Sequence, residues 1–319
     1  MPILGIDEVG RGPLAGPLVV GAVILPEEEQ AWFTELNDSK KLTAKKREKL
    51  STLILENSAA GLGWVPADEL DKIGISKALQ LATHRAVKSV QRLHVPFSQI
   101  IIDGKINFLK NTPLEKYTST LIKADSQIKE VSAASIIAKV ARDNYMINLA
   151  NKFPNYGFEK HVGYGTKAHL NAIYKYGLTE EHRKSYEPCK SLSSFISQKS
   201  VAKKNTTKTG QQAEQAVTAY LKQLGHTIVA NNHKTYYYEI DIISTKNNYI
   251  YFTEVKYRKS PVRGDGLNAI THSKLHQMQF AAESYLKYQN SKLKNYDPLL
   301  AVASVSGENY EKITWFPLT

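Results

Sequence analysis

Four acids in the N-terminal part of the chain stand where acids are costly. Asp7 and Glu8 end the apolar run Ile3-Leu4-Gly5-Ile6, Asp103 ends Ile100-Ile101-Ile102, and Asp125 follows Leu121-Ile122-Lys123-Ala124. Strand ends suit reactive groups, because a rigid sheet fixes them while their tips reach solvent. Four gathered carboxylates would repel one another and raise their own pKa values, and divalent cations would relieve that repulsion. Two Mg²⁺ or Mn²⁺ ions on oxygen ligands can clamp the attacking and the leaving oxygen of a phosphodiester during hydrolysis. Taken singly, each acid reads more readily as a turn or cap residue at the end of a strand, and the sequence by itself does not bring the four together.

A second set lies further on. Tyr238 to Ile243, a turn at Thr245 to Asn248, and Tyr249 to Tyr257 read as a β-hairpin. An even number of loop residues puts Asp241 on the same face as Glu254 and Lys256, which share a face in any strand. Glu214, upstream on a helix, can add another carboxylate. Two acids and a lysine suit metal-dependent phosphodiester hydrolysis, with the lysine positioning water or meeting developing charge. The competing reading is a pair of ordinary cross-strand charge partners. Tyr236, Tyr237, Tyr238, Tyr249, Tyr251 and Tyr257 could stack on unpaired bases, but strand aromatics packed on helices explain them as well.

The elements that must position these groups alternate. Strands are expected at Ile3 to Val9, Leu18 to Leu25, Gly61 to Val65, Gln99 to Asp103 and Leu121 to Ala124. Helices are expected from Thr43 (as N-cap) to Asn57, from Asp68 to Leu93 despite Gly74, and from Glu130 to Lys152. This mixture predicts an α/β layered domain. After a basic, aperiodic stretch over 191–208, read as a flexible linker, come a helix from Gln211 to Leu224 ended by Gly225, the hairpin, and a helix near His272 to Lys287. The expected domains are 1–190 and 209–319.

The 319 residues fit two domains, and 42% hydrophobic with 23% charged residues is ordinary for a water-soluble protein. The single cysteine, Cys189, excludes an internal disulfide and a multi-cysteine zinc site and suits a reducing cytoplasm. No leader or membrane segment and no membrane partner is expected. The net charge of +12 favours a polyanionic partner, nucleic acid first.

Gly5-Ile6-Asp7-Glu8-Val9-Gly10-Arg11-Gly12-Pro13-Leu14-Ala15-Gly16-Pro17 resembles the opening motif of the ribonuclease HII family. In family order follow Asp38-Ser39-Lys40-Lys41-Leu42, Ile101-Ile102-Asp103-Gly104, Lys123-Ala124-Asp125 with Ser132 to Asp143, Gly163-Tyr164-Gly165-Thr166 flanked by His161 and His169, and His182-Arg183-Lys184-Ser185-Tyr186. The blocks span about Pro2 to Pro188. The resemblance implies a ribonuclease H-like mixed sheet with helices and a small C-terminal helical subdomain. It implies Asp7, Glu8, Asp103 and Asp125 as metal-binding, catalytic carboxylates using Mg²⁺ or Mn²⁺. It implies hydrolysis on the 5′ side of ribonucleotides in RNA/DNA hybrids and in duplex DNA, leaving 3′-hydroxyl and 5′-phosphate ends. Because the sequence opens at the motif, the N-terminal extension of the type III enzymes is not expected.

Around those acids, Gly10, Arg11 and Gly12 offer backbone with little side-chain obstruction, so a sugar can approach and its 2′-hydroxyl can be sensed. The family uses this loop with the tyrosine matching Tyr164 to read the RNA–DNA junction. Ser39, Lys40 and Lys41 are expected on backbone phosphates. Ser132, Ser135, Lys139 and Arg142 form one polar helical stripe, able to hold phosphate or orient the metal site, or else a solvated face. His161, His169 and His182 read as structural or near-site hydrogen-bonding groups, since Mg²⁺ prefers oxygen. Val162 stands where the family often has proline.

Gly210, Glu214, Ala216, Tyr220-Leu221, Gly225, Glu239-Ile240-Asp241, Phe252, Glu254-Val255-Lys256, Arg258 and Lys274 resemble the YraN-like family of predicted nucleases, which is similar to the PD-(D/E)XK superfamily. That resemblance spans about Thr209 to Lys287. It implies a second small α/β, restriction-endonuclease-like domain, with branched, flapped or single-stranded DNA as candidate partners. Ala213 and Tyr238 replace family glycines. Three functions follow as alternatives: a bifunctional nuclease in ribonucleotide excision repair, R-loop or primer processing during DNA replication; one active ribonuclease with a C-terminal binding module; or an inactive nucleic-acid binder. Retention of all four N-terminal acids argues against the last.

Overall fold

The computed structural model describes residues 2–198, 208–258, 272–289, 293 and 295–318. The backbone divides into two compact units, Met1–His169 with Leu178–Ser194, and Leu170–Gly177 with Phe195–Thr319.

The first unit holds strands β1 (Ile3–Val9), β2 (Leu18–Ile24), β3 (Ala59–Val65), β4 (Gln99–Asp103) and β5 (Thr118–Leu121) in the sheet order β3-β2-β1-β4-β5. β1, β2 and β3 pair antiparallel, whereas β4 and β5 run parallel to β1. Alternation along the strands builds two cores. Leu4, Ile6, Ile100 and Ile102 meet Ala78, Leu79, Ala82 and Ala86 of α3 (Ile75–Gln91) on one face. On the other face, Val23 packs with α1 (Ala44–Asn57) and α4 (Lys129–Lys152). The Thr43 hydroxyl caps α1 by accepting from Lys46 N, as expected.

Two expected elements differ. The long helix over Asp68 to Leu93 is two, α2 (Ala67–Ile73) and α3, because the backbone at Gly74 (φ 78°, ψ 158°) leaves helical space. The strand expected at Leu121 to Ala124 lies earlier, as β5. The chain then turns through left-handed Lys123 into a short 3₁₀ segment, Ala124–Ser126. Three helices follow, α5 (Phe158–His161), α6 (Lys167–Tyr176) and α7 (Cys189–Gln198). Residues 191–198 of the expected linker therefore belong to a helix, whose amphipathic Leu192 is buried. Residues 199–207 lie outside the described residues.

The second unit has α8 (Lys208–Gln223) and α9 (His272–Ser284), with strands β6 (Thr227–Lys234), β7 (Glu239–Lys246), β8 (Tyr249–Arg258), β9 (Asp297–Ser306) and β10 (Lys312–Leu318). The order is β10-β9-β8-β7-β6, with only β8 and β9 parallel. Ala213, Val217 and Leu221, four apart on α8, pack against Ile242, Val255, Ala303 and Val305. Sequence reading did not anticipate β6, β9 or β10. Among the described residues, no helix is long and apolar enough to cross a membrane.

Candidate active site

Asp7 and Asp103 reach one place through the sheet register. The parallel pairing of β1 with β4 runs through Ile6 and Ile102, so the next residues stand side by side at the carboxyl ends of adjacent strands. Asp103 in turn pairs with Leu121, the last residue of β5. Its Oδ1 accepts the Ala124 N–H at 2.7 Å, which ties down the turn carrying Asp125. Asp125 is thus placed by a turn rather than by a strand end.

Helix α4 closes the floor. Gly5 lies so near the backbone of Glu130 and Val131 that any Cβ there would overlap it. With α4 seated this closely, Ser135, four residues beyond Val131, meets Asp7, two beyond Gly5. Asp7 is buried and its pKa is pushed up to about 8, by burial first and then by the charges of Glu8 and Asp103. A hydrogen bond from Ser135 and another from Glu8 N, the latter at 2.8 Å, work the other way. Burial also raises Glu8, opposed by the Arg11 guanidinium 3.0 Å from its Oε1. Asp125 is raised by burial, then by Asp103 and Asp38. Lys40, exposed at the rim, favours the ionised form of both Glu8 and Asp125. Electrostatically the four acids are one system, with Asp103 acting on each of the other three.

Among the described residues, no three Asp, Glu, His or Cys side chains lie close enough together to hold a cation as they stand. Glu8 is turned to Arg11, and one oxygen each of Asp7 and Asp103 is occupied by a backbone N–H. The donor set nonetheless fits a hard divalent ion. It is all oxygen, and burial, with the neighbouring negative charge of Asp103, pushes Asp7, Glu8 and Asp125 towards their protonated forms, a bias that a cation would offset.

The polar stripe of α4 does not face a nucleic acid. Ser132 and Ser135 are buried, Ser132 donating to Asn37 O at 2.9 Å and Ser135 lying 3.0 Å from the buried Ser39 hydroxyl. The expected phosphate contacts of Ser39, Ser132 and Ser135 give way to a hydrogen-bonded layer behind Asp7. Lys139 is spent on Asp143 at 2.7 Å. Arg142 is wholly buried, and its guanidinium donates to Pro17 O, Val162 O and Ala15 O at 2.9, 3.0 and 3.1 Å. Its place among the nucleic-acid contacts is therefore corrected: it braces the glycine-rich loop from below. Gly10, at φ 91°, rests directly on that guanidinium, so its lack of a side chain serves packing rather than sugar approach.

The loop is braced a second time by Arg183, also wholly buried. It donates to Gly16 O twice and to Arg11 O, while the Tyr186 hydroxyl donates to Arg11 O at 2.8 Å. What remains exposed is Arg11, Gly12, Lys40, Lys41 and the half-exposed ring of Tyr164. A Cβ placed on Gly12 would lie 3.8 Å from Tyr164 Cε1, so ring and loop form one edge.

In the second unit the turn between β7 and β8 is the two residues Asn247-Asn248, which meets the even-loop condition. The ladder pairs Ile242 with Thr253, and beyond it the Asp241 carboxylate accepts Val255 N–H at 2.7 Å. Buried Glu254 is held between Lys256 Nζ at 2.7 Å and Lys274 Nζ, from α9, at 2.8 Å. Lys274, twenty residues beyond Glu254 in sequence, joins the site only through the fold. Glu214 is buried on α8, and its Oε2 has no hydrogen-bond partner among the described residues.

Comparison with known proteins identifies the families that the two parts of the chain resemble. Residues 4–189 match the family Ribonuclease HII, and residues 213–303 match Uncharacterised protein family UPF0102. Ribonuclease HII of Sulfurovum sp. (strain NBC37-1) is 46% identical over 185 residues, which is 58% of this chain and 91% of that protein. Ribonuclease HII of Coxiella burnetii (strain Dugway 5J108-111) is 43% identical over 195 residues, 61% of this chain and 92% of that protein. The crystal structure of ribonuclease H2 from Pyrococcus horikoshii OT3 is similar at TM-score 0.51 and 28% identity, covering 60% of this chain and 96% of that one. The first unit has the ribonuclease H-like α/β fold and the second a small restriction-endonuclease-like α/β fold. The chain belongs to the ribonuclease HII family, with a YraN-like UPF0102 domain fused behind the ribonuclease.

Proposed function

We propose that this ribonuclease HII-type hydrolase cuts 5′ of ribonucleotides, in RNA/DNA hybrids and embedded in duplex DNA, with Asp7, Glu8, Asp103 and Asp125 holding two Mg²⁺ or Mn²⁺ ions. The observation that carries this reading is the lateral placement of Asp7 and Asp103 on neighbouring parallel strands, with Asp7 pushed towards its protonated form. When bound, the cations supply Lewis-acid polarisation of the phosphate and lower the pKa of the attacking water. Ser135 and the Glu8 amide orient Asp7, while the Ala124 amide orients Asp103. Lys40, Lys41 and Arg11 line the rim where the sugar–phosphate backbone would lie. Gly12 and Tyr164 present the edge that senses the 2′-hydroxyl. Water adds to the phosphorus and the P–O3′ bond breaks, leaving a 3′-hydroxyl and a 5′-phosphate. Ribonucleotide removal in DNA repair and replication, in the cytoplasm, is the corresponding role. Purified Asp103→Asn protein should lose cleavage of a DNA duplex carrying one ribonucleotide; retained activity would refute the assignment.

For residues 209–319 the reading is a metal-dependent DNA nuclease using Glu214, Asp241, Glu254 and Lys256. Burial of all three acids supports it, together with the seating of Asp241 against β8 beside Glu254. One observation favours a non-catalytic binding module instead: Glu254 is neutralised by two lysines. Metal-dependent cleavage of flapped, branched or single-stranded DNA by the full chain, abolished by Glu254→Ala, decides for the nuclease. No cleavage by the unmutated chain decides for the module.

A further inference from the structure

Behind the exposed Tyr164 ring lies a chain of hydrogen bonds whose proton positions are fixed one by one. The Thr179 backbone N–H donates to His182 Nδ1 at 2.9 Å. That nitrogen is therefore an acceptor, and the proton of the neutral imidazole sits on Nε2. His182 Nε2 lies 3.1 Å from His169 Nε2. With His182 donating, His169 must accept at Nε2 and carry its own proton on Nδ1. That Nδ1–H lies 2.9 Å from the Tyr164 carbonyl oxygen and donates to it.

The surroundings enforce this arrangement. His169 and His182 are essentially fully buried. Burial holds them neutral, with pKa values pushed down to about 4 and about 3. His161 stacks on His169 with ring centroids 4.4 Å apart, and Phe158 packs edge-on to both rings. His161 accepts from Gly163 N at Nδ1 and donates from Nε2 to Tyr156 O at 2.8 Å, so it too is spent on backbone. Tyr164 N donates to His161 O at 2.9 Å. Both backbone polar groups of Tyr164 are thus fixed from inside, while its ring faces solvent beside Gly12.

We infer that Thr179, His182 and His169 form a positioning relay that sets the distance of the Tyr164 ring from the Gly12 edge and so governs discrimination of an embedded single ribonucleotide from a continuous RNA strand. A ring anchored only by its own Cα would follow whatever duplex is offered. One whose backbone is held by a buried relay reads a fixed geometry. The inference rests on the reading of Tyr164 as the junction sensor, and the experiment separates the two.

The first measurement uses the unmutated full chain with ¹⁵N-labelled histidine. NMR should show His169 as the Nδ1–H tautomer and His182 as the Nε2–H tautomer, both neutral at pH 6. A cationic ring or either opposite tautomer would overturn the relay. The second measurement is the ratio of cleavage rates on a duplex with one embedded ribonucleotide and on a uniform RNA/DNA hybrid. His169→Leu should lower that ratio by up to about tenfold, the size of one lost hydrogen bond, since only the Thr166 N–H at 2.8 Å then remains on the Tyr164 carbonyl. His169→Asn, whose amide can donate from the Nδ1 position, should restore most of it. If Tyr164→Ala leaves the ratio unchanged, the sensor reading fails. If Tyr164→Ala lowers it and His169→Leu does not, the relay alone fails.

Discussion

Asp7 and Asp103 stand side by side, one residue past the pair Ile6 and Ile102, at the carboxyl ends of two parallel strands. Parallel pairing is what makes this contact possible. In an antiparallel pair the corresponding ends would lie at opposite edges of the sheet. Buried Asp7 and half-buried Asp103 repel, and the protein compensates with a layer of donors, Ser135 and the Glu8 and Ala124 amides.

That layer is testable at Ser135. Its hydrogen bond favours the ionised form of Asp7, and its hydroxyl is 3.0 Å from that of Ser39. Ser135→Ala should weaken Mn²⁺ binding about 10- to 100-fold, as loss of a residue that orients a metal ligand does elsewhere. Calorimetric titration of metal into the purified protein measures it. The same affinity in the variant would show that Ser135 only fills space.

The raised pKa of Asp7 makes a signed prediction about pH. The folded protein binds the Asp7 proton up to about pH 8, whereas the unfolded chain releases it near 3.8. The associated stability is complete below the lower value and is lost as pH rises through the upper one. Metal-free protein should therefore melt at a lower temperature at pH 8 than at pH 6. Asp7→Asn should flatten that dependence, and Mn²⁺, which needs the ionised acid, should stabilise more strongly at the higher pH. Thermal melts with and without a chelator check all three.

Arg142 should behave as a buried brace. Removing its guanidinium strands the carbonyls of Pro17, Val162 and Ala15, which it now serves. Arg142→Met should cost about 3 kcal/mol or more in chemical denaturation. Its RNA/DNA affinity, once corrected for unfolded protein, should keep the same salt dependence. A reduced salt slope would mean that Arg142 touches phosphate after all.

In the second unit, Lys274 competes with metal for Glu254. In a chain also carrying Asp103→Asn, to silence the ribonuclease, Lys274→Ala should raise the affinity of the C-terminal site for Mn²⁺ by about tenfold, the size of one charge-assisted pair. Equilibrium titration reports this. Unchanged affinity would mean that the lysine clamp is not what keeps a cation out.

The legible parts of the sequence were those where local pattern and tertiary need coincide. Ile100-Ile101-Ile102 followed by Asp103 announces a buried strand with a reactive end, and β4 has that form. Thr43 before Ala44 announces a cap, and the cap is made. The hairpin was legible, but its turn, expected over Thr245 to Asn248, is only Asn247-Asn248, because Thr245 and Lys246 still pair in the ladder; the even loop then puts Asp241 on the face of Glu254. Arg142 was misread because helical spacing places it on a polar stripe, while its three carbonyl partners are more than a hundred, or about twenty, residues away along the chain. Ser132 and Ser135 cannot serve as phosphate contacts, because α4 is buried on both sides over Val131 to Ala138; of the two roles read for the stripe, Ser135, hydrogen-bonded to Asp7, suits the one beside the carboxylates. β5 was displaced because Thr118-Ser119-Thr120-Leu121 is an edge strand with exposed side chains and no apolar run to announce it. The convergence of the four acids rests on the parallel register and the turn at Lys123, neither of which a pattern of residue types can supply.

Anomalous diffraction from crystals grown with Mn²⁺ locates the cations themselves. Two manganese peaks bounded by Asp7, Glu8, Asp103 and Asp125 should appear, with Glu8 swung away from Arg11 to reach one of them, and no such peaks should appear in Asp103→Asn crystals. Manganese bound elsewhere in the first unit, with these four carboxylates left without metal, would contradict the assignment of the four acids.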